Sequence, residues 1–336
     1  MRSSLLAILM FASALLCTAS SATAATFYVN NSSTSCSNTG AGTLASPYCS
    51  ISAALTAHHS SGTTIVVLPG VYHEQVTLPA SGLSGSPIVL QAQGTPGNPV
   101  VVDGADDLGN PTRWVRSSGN VWQAASVTWN PKQVTADNAR LTVSTASTSS
   151  LPTNSFRWVS GSGLFVNVGG DNPGNHRAEA SRRTRGFYVP GFSWVVLDGF
   201  TVTHTDFAGI ELTNLSSNVT LSHNVVTFSE AYGIKVDNGR TVMVSSNVSS
   251  DHQWSGIGLT GGSTGCTVED NESFRNLTPN QANGIYGYGI TNNLIQRNRV
   301  HDNAYNGIML STGCNDNVMR QNLSWSNLHQ GLEDIF

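Results

Sequence analysis

The sequence predicts an all-β solenoid whose coils each carry three short strands. Two columns of recurring residues lead to this prediction. Glycines followed by Ile or Leu form the first column, at Gly209, Gly233, Gly256, Gly284, Gly307 and Gly331. Asparagines form the second column, at Asn224, Asn247, Asn271, Asn298 and Asn322. Repeats of about 20 to 30 residues are typical of solenoids, in which each coil buries its apolar face against its neighbours.

The composition of the 336-residue chain fits such a stack. Charged residues make up 11% of the chain, against about 25% in ordinary soluble domains, and Gly, Asn, Ser and Thr are abundant instead. An apolar content of 39% is enough for a core, which excludes a disordered chain. The formal net charge is -4 and no basic run is present, so nucleic acid is excluded as a partner.

The N-terminus and the cysteines predict export. The first 25 residues read as a secretory signal that ends near Ala25, and their apolar run is shorter than the roughly 20 residues that a membrane span needs. We therefore expect a secreted protein, extracellular or periplasmic, with no membrane span. An oxidising compartment favours a disulfide between Cys36 and Cys49. Cys266 and Cys314 lie two coils apart, which is too far for a bridge.

The remaining chain divides into three segments. Residues 26–112 form an N-terminal cap and the first coils, with a short helix over residues 46–58 that covers the open end. Residues 113–181 lose the period, are rich in Trp and turn residues, and read as an inserted β subdomain. Repeats of 23 to 28 residues occupy residues 182–336. Because the chain stops inside a strand, we expect a truncated C-terminus, and a monomer where the missing cap is present.

One coil illustrates the three strands. They cover residues 218–223, 225–228 and 233–236, with turns at Asn224 and around Ala231. An amide that recurs at the same turn of every coil can hydrogen-bond to the coils on either side of it. We therefore expect the asparagine column to be buried and stacked.

These features resemble the right-handed parallel β-helix of the pectate-lyase-like superfamily. The resemblance includes the secreted N-terminal pattern around Phe27 and the strand-like segments 64–72, 87–90 and 101–104. It implies a single-stranded right-handed parallel β-helix with a capping helix. It also implies that a polysaccharide substrate lies along the sheet of Gly-Ile strands and beside the loops that precede them.

Alternation of side chains along those strands predicts an ionisable strip on their outer face. Lys235 faces outward, and we expect it to act as the catalytic base, together with His252 from a preceding loop. Glu211 and Asp237, with Asp206, are the expected ligands of a Ca²⁺ ion that holds the substrate carboxylate. In a purely structural role, Glu211 and Lys235 would form a simple ion pair between neighbouring coils.

An aromatic ledge beside this strip is expected to bind the substrate, because flat rings stack on sugar faces. The expected substrate-binding residues are Tyr286, Tyr288, Trp254, Tyr305 and His329. The longest repeat also places its insertion here, at residues 278–281. Loops that interrupt a regular pattern often carry function.

Several functions fit this surface. We expect foremost a polysaccharide lyase that cleaves an acidic, uronic-acid glycan by β-elimination. A glycoside hydrolase would use two carboxylates instead, such as Glu211 with Asp237 or Asp206 with Asp251. A uronate epimerase and a non-catalytic glycan-binding adhesin fit the same surface. Chemical analysis of the products separates these classes.

Overall fold

The computed structural model describes residues 25–334, and its main body is a right-handed parallel β-helix with three parallel sheets. The expectation for the signal segment falls on residues outside this range, apart from Ala25 itself. We number the sheets in the order in which one coil visits them. In the coil described above, sheet 1 contains Ser217–Ser222, sheet 2 contains Val225–Thr227 and sheet 3 contains Tyr232–Asp237. Sheet 3 is therefore the sheet of Gly-Ile strands.

Each sheet pairs a strand with its equivalent in the neighbouring coils. The strands of sheet 1 are Ala25–Val29, Thr63–Val67, Ile88–Ala92, Ser193–Asp198, Ser217–Ser222, Met243–Ser245, Thr267–Glu269, Leu294–Gln296 and Val318–Arg320. Those of sheet 2 are Gly70–Tyr72, Val100–Asp103, Thr201–Thr203, Val225–Thr227, Val248–Ser250, Glu272–Phe274, Arg299–His301 and Leu323–Trp325. Those of sheet 3 are Val76–Thr77, Arg185–Pro190, Ala208–Thr213, Tyr232–Asp237, Ile257–Thr260, Ile285–Gly287, Ile308–Leu310 and Leu332–Asp334.

The segment between the early and late coils forms two smaller sheets. One is antiparallel and consists of Ala139–Arg140, Val134–Ala136, Glu179–Ser181 and Ala105–Asp107. The other consists of Thr142–Val143, Ser155–Val159, Gly163–Asn167, Val121–Ala124 and Val115–Ser118. Single 3-10 turns cover Pro111–Arg113 and Pro173–Asn175. This inserted part has its own apolar core, which includes Trp114, Phe156 and Leu164.

A helix covers the first coil, but it is shorter than the sequence predicts. It spans Ile51–Ala57, because Ser50 is extended and caps the helix by accepting a hydrogen bond from the backbone of Ala53. The carboxylate of Glu74 also accepts hydrogen bonds from the first backbone N–H groups of the helix. Buried Ile51 and Leu55 join the main core. The helix thus closes the apolar interior at this end.

The two cysteine predictions are confirmed. Cys36 and Cys49 form a disulfide with a Cα–Cα distance of 5.0 Å, whereas Cys266 and Cys314 are free. Within residues 25–334 no helix is long and apolar enough to cross a membrane.

The asparagine column is buried and forms a continuous ladder. From Asn224 to Asn298, each side-chain N–H donates to the amide oxygen of the next asparagine at 3.0 Å. A second ladder links Asn276, Asn303 and Asn327 over 2.7 and 2.8 Å. Buried amides cost free energy unless they are paired, so the ladders fix the register between coils.

The recurring glycines have a different cause, namely close approach between coils. A Cβ atom on Gly233 would lie 2.1 Å from Oγ of Ser249 and 2.4 Å from Nε2 of His252. Any larger residue would force apart the turn that leads from sheet 2 into sheet 3. The glycine column therefore marks where that turn is tightest.

Candidate functional site

A cleft of about 300 Å³ lies on the outer face of sheet 3, and we call it the aromatic cleft. It is lined by Tyr232, Trp254, Ser255, Asn280, Gln281, Asn283, Tyr286, Tyr305 and Met309. Four of these side chains are aromatic and three carry amides. The cleft therefore combines flat apolar surfaces with hydrogen-bonding groups.

The repeat places these rings on successive coils. Tyr286 pairs with Gly258 on one side and with Met309 on the other. Gly258 leaves room for the ring of Tyr232, because a Cβ atom at position 258 would lie 2.8 Å from it. Tyr232 in turn meets Trp254 edge to face, with ring centroids 5.6 Å apart. The cleft thus combines Tyr232 and Tyr286 from strands of sheet 3 with Trp254 and Tyr305 from the turns that precede its strands.

The longest coil supplies the polar side of the aromatic cleft. Its extra residues, 278–281, bring in Asn280 and Gln281. The backbone N–H of Ala282 donates to the carbonyl of Thr278 at 2.9 Å and closes this loop. The insertion that interrupts the regular period therefore builds one wall.

The aromatic residues that the sequence pattern indicated have different positions. Trp254, Tyr286 and Tyr305 line the cleft. His329 stacks on Tyr305 with centroids 4.8 Å apart, and Tyr288 is 51% exposed outside the lining. Tyr232 was missed, although its place directly before Gly233 could have indicated it.

A charged row continues from the aromatic cleft along sheet 3, formed by Arg185, Glu211, Lys235 and Asp237. Glu211 is 2% exposed and forms ion pairs with Arg185 and with Nζ of Lys235, the latter at 3.4 Å. Nζ of Lys235 also lies 3.6 Å from the carboxylate of Asp237. The row holds two positive and two negative charges, so these charges balance.

The roles of Lys235, Glu211 and Asp237 as base and Ca²⁺ ligands stay predictions. The ion pair between Lys235 and Glu211, which a purely structural role requires, is present. Nζ of Lys235 also lies 5.2 and 5.8 Å from the ring centroids of Phe207 and Tyr232. Glu211 and Asp237 both contact Lys235, so a Ca²⁺ ion held by them would have to displace these contacts.

His252 and Asp206 lie apart from this row. His252 is fully buried, and burial lowers its pKa to about 3. Its Nδ1 accepts a hydrogen bond from the backbone of Ser229, and its backbone N–H donates to Asn276 at the start of the second ladder. A catalytic role does not fit a side chain enclosed in this way. Asp206 was expected to join Glu211 and Asp237 as a metal ligand, but its carboxylate contacts Ser181 and the backbone of Lys132 instead.

Asp206 and Glu230 occupy equivalent positions on consecutive coils, each three residues before the glycine of sheet 3. The backbone N–H of Glu230 donates to the carbonyl of Thr205, which fixes the stacking of the two turns. Burial raises the pKa of both carboxyls. The guanidinium of Arg140, from the inserted part, pairs with Glu230 and opposes the shift there. We call Asp206 and Glu230 the carboxylate pair.

A second cleft, of about 570 Å³, lies where sheet 2 meets the inserted part, and we call it the acidic cleft. Its lining includes Asp103, Asp107, Arg177, Glu179 and His204. Ligand atoms of Asp103, Glu179 and His204 all lie within 4.8 Å of one another, so this buried group can hold a metal ion. Sequence reasoning missed it.

The family model named NosD, described as a periplasmic copper-binding protein, matches residues 170–334, slightly less than half of the chain. Among solved structures, XylC in complex with xylose has a TM-score of 0.69 and 17% identity over 89% of this chain and 63% of its own. The chain and XylC share the parallel β-helix fold. A pectate lyase, Pel9A, gives a TM-score of 0.49 with 16% identity, covering 87% of this chain and 69% of its own.

A third similar structure is the Dettilon tailspike protein, with a TM-score of 0.50, 12% identity, and coverage of 92% of this chain and 46% of the tailspike. The chain thus spans less than two thirds of the length of XylC and of the tailspike. Comparison with curated protein sequences gives no match. At sequence identities this low, the similarity to XylC and to the tailspike shows a shared fold and nothing more.

Proposed function

We propose that the protein is an exported carbohydrate-active enzyme that hydrolyses a glycan held along the outer face of sheet 3. The aromatic cleft carries this proposal. Its four rings offer flat apolar surfaces for sugar rings, and its amides offer partners for hydroxyl groups. XylC, which has the same fold, was solved with xylose, and this supports a saccharide ligand.

The carboxylate pair supports hydrolysis as the reaction. Consecutive coils are about 4.8 Å apart, and retaining glycosidases hold their two carboxyl groups about 5 to 5.5 Å apart. Burial raises the pKa of both carboxyls, which favours one shared proton on the pair. We assign this proton to Glu230, which then protonates the leaving oxygen. Asp206 then attacks the anomeric carbon, and water cleaves the glycosyl-enzyme with Glu230 as base. The expected outcome is retention of configuration.

Export is the third part of the proposal. A disulfide between Cys36 and Cys49 is stable in oxidising compartments, and the matching family model describes a periplasmic protein. An extracellular or periplasmic enzyme of this kind would meet polysaccharides outside the cytoplasm.

A substrate panel tests this proposal. Pectate, alginate, chondroitin and neutral xylan are each incubated with the protein, with and without Ca²⁺. The products are followed by reducing ends, by ultraviolet absorbance and by chromatography. We expect new reducing ends without new absorbance for at least one glycan, and loss of that activity in Glu230→Gln and Asp206→Asn. Binding without any product would contradict hydrolysis and favour an adhesin, and a changed uronate composition would favour an epimerase.

β-Elimination of an acidic glycan is the second candidate. It is favoured by the position of Lys235, whose Nζ lies beside the aromatic cleft, 5.8 Å from the centre of the Tyr232 ring. There a uronate carboxylate could compete with Asp237 for the ammonium. In this case the products absorb in the ultraviolet, and Lys235→Met abolishes their formation.

A further inference from the structure

The acidic cleft contains a histidine between two carboxylates, and none of the three belongs to the carboxylate pair. Nδ1 of His204 lies 3.2 Å from Oδ1 of Asp103 and 3.5 Å from Oε2 of Glu179. The exposed fractions of the three side chains are 8%, 4% and 12%. These groups are thus withdrawn from solvent and converge on one point.

The local charges favour a cation at that point. The carboxylate of Glu179 accepts no hydrogen bond within residues 25–334, and its only ion-pair partner there is His204. Asp107 pairs directly with Glu179 on the neighbouring strand. Besides His73 and His204, the cleft lining contains one basic side chain, Arg177. Buried carboxylates are costly unless they are paired with cations or coordinate a metal.

The imidazole of His204 is not satisfied by protein groups alone. Its Nε2 atom is buried and has no hydrogen-bond partner among the described residues. If the proton is on Nε2, the lone pair on Nδ1 faces two carboxylates and is repelled by them. A metal ion at Nδ1 removes this repulsion, with the proton on the buried Nε2 atom.

The distances from His204 to the two carboxylates fit a small transition-metal ion, and all three ligand atoms lie within 4.8 Å of one another. Bonds of about 2.0 to 2.1 Å in a tetrahedron place neighbouring ligand atoms about 3.3 Å apart. The distances from Nδ1 of His204 to the two carboxylates, 3.2 and 3.5 Å, agree with this. Oδ1 of Asp103 also accepts a hydrogen bond from the backbone of Ala105 at 2.8 Å, which orients this ligand.

The three ligands are held by regular structure from two parts of the molecule. Asp103 ends one strand of sheet 2, and His204 directly follows the next strand, whose Thr203 pairs with Asp103. Glu179 begins a strand of the inserted part. We propose that Asp103, Glu179 and His204 bind a divalent transition-metal ion such as Zn²⁺, with the fourth coordination position open to the acidic cleft.

Calorimetry and elemental analysis of the full chain test this site. After dialysis against a chelator, the protein is titrated with Zn²⁺, Mn²⁺ and Ca²⁺ in separate experiments. We expect one Zn²⁺ per chain, weak or no Ca²⁺ binding, and a higher melting temperature with Zn²⁺. We expect His204→Gln and Glu179→Gln to lower the affinity at least about tenfold, as loss of even a supporting group around a metal does.

His176→Gln is the matched control, because His176 also contacts two carboxylates, at 2.8 and 3.2 Å, but at the surface. This variant should bind Zn²⁺ like the wild type. Absence of Zn²⁺ binding by the wild type would overturn the proposal, and so would loss of binding in His176→Gln with retention in Glu179→Gln. Circular dichroism of each metal-free variant checks folding, and Asp103→Asn replaces any variant that does not fold.

Discussion

The aromatic cleft and the acidic cleft are built in different ways on the same β-helix. The aromatic cleft consists of residues from successive coils, and each ring has a fixed place in the repeat. The acidic cleft joins sheet 2 to the inserted part, and Glu179, which it needs for its charge, belongs to no repeat. The regular stacking of coils thus forms a long surface for an extended ligand, whereas the contact between sheet 2 and the inserted part encloses a small and highly charged site.

The two clefts also differ in the chemistry of their side chains. Rings and amides line the aromatic cleft, which suits a glycan, while buried carboxylates and an imidazole line the acidic cleft, which suits a cation. If this comparison is right, mutations in one cleft leave the function of the other unchanged.

The largest effect is expected from Glu230→Gln. Loss of a general acid costs about 10²- to 10⁴-fold in rate, so we expect glycan hydrolysis to fall at least about a hundredfold. Zn²⁺ binding, measured by calorimetry on the same sample, should not change. Glu272→Gln, on the outer face of sheet 2, is the control and should retain full activity. An equal loss of Zn²⁺ binding in Glu230→Gln would show that the two clefts are not separate.

Trp254→Ala and Trp325→Ala form a matched pair. The exposed fractions of the two side chains are 41% and 40%, but Trp325 lies on sheet 2, away from the aromatic cleft. Loss of one stacking ring costs about 1.4 kcal/mol, so we expect Trp254→Ala to bind the glycan about tenfold more weakly. Trp325→Ala should bind like the wild type in the same affinity measurement. Equal affinities of the two variants would argue against the aromatic cleft.

His252→Asn tests whether the ladder beside the aromatic cleft is structural. The pKa of His252 is about 3 in the folded chain and about 6.5 when unfolded, so the unfolded state takes up a proton first as the pH falls. The contribution of His252 to stability is complete above pH 6.5 and is lost between pH 6.5 and about 3. The free energy of unfolding should fall there by up to about 1.4 kcal/mol per pH unit.

An amide at this position continues the second ladder and does not titrate. Urea unfolding between pH 7 and 4 should therefore show a weaker pH dependence for His252→Asn than for the wild type. His223→Asn, which replaces an exposed histidine, is the control and should keep the wild-type dependence. Identical pH dependence of His252→Asn and the wild type would show that His252 does not couple protonation to folding.

The smallest effect is expected from Lys235→Met. Glu211 keeps its ion pair with Arg185 in this variant, and a largely exposed pair contributes only about 0.2 to 1 kcal/mol. Because Lys235 is partly buried, we allow for a somewhat larger loss of stability than this. The rate of hydrolysis should change less than about threefold. Complete loss of activity with intact folding would instead support β-elimination.

The features that could be predicted from the sequence are those that the repeat determines. The coil period placed Trp254, Tyr286 and Tyr305 on one face, because side chains that recur at the same position of every coil must stack. The same logic predicted the asparagine ladder. It also placed Lys235 on the outer face beside Glu211, and the ion pair that a purely structural role implies is present.

The acidic cleft could not be predicted in this way. Asp103 and His204 are 101 residues apart in the sequence, and the inserted part lies between them. Their contact therefore depends on the length of the inserted part. Glu179 lies in that part, where no period indicates its neighbours. Only the pairing of Thr203 with Asp103 and of Glu179 with Asp107 brings the three ligands together.

The location of a bound sugar tests the central claim most directly. A crystal structure of Glu230→Gln with an oligosaccharide of the cleaved glycan measures it. We predict a sugar ring packed against Trp254 and Tyr286, with its scissile bond directed towards Asp206. An oligosaccharide bound in the acidic cleft, with the aromatic cleft free, would contradict the proposed site.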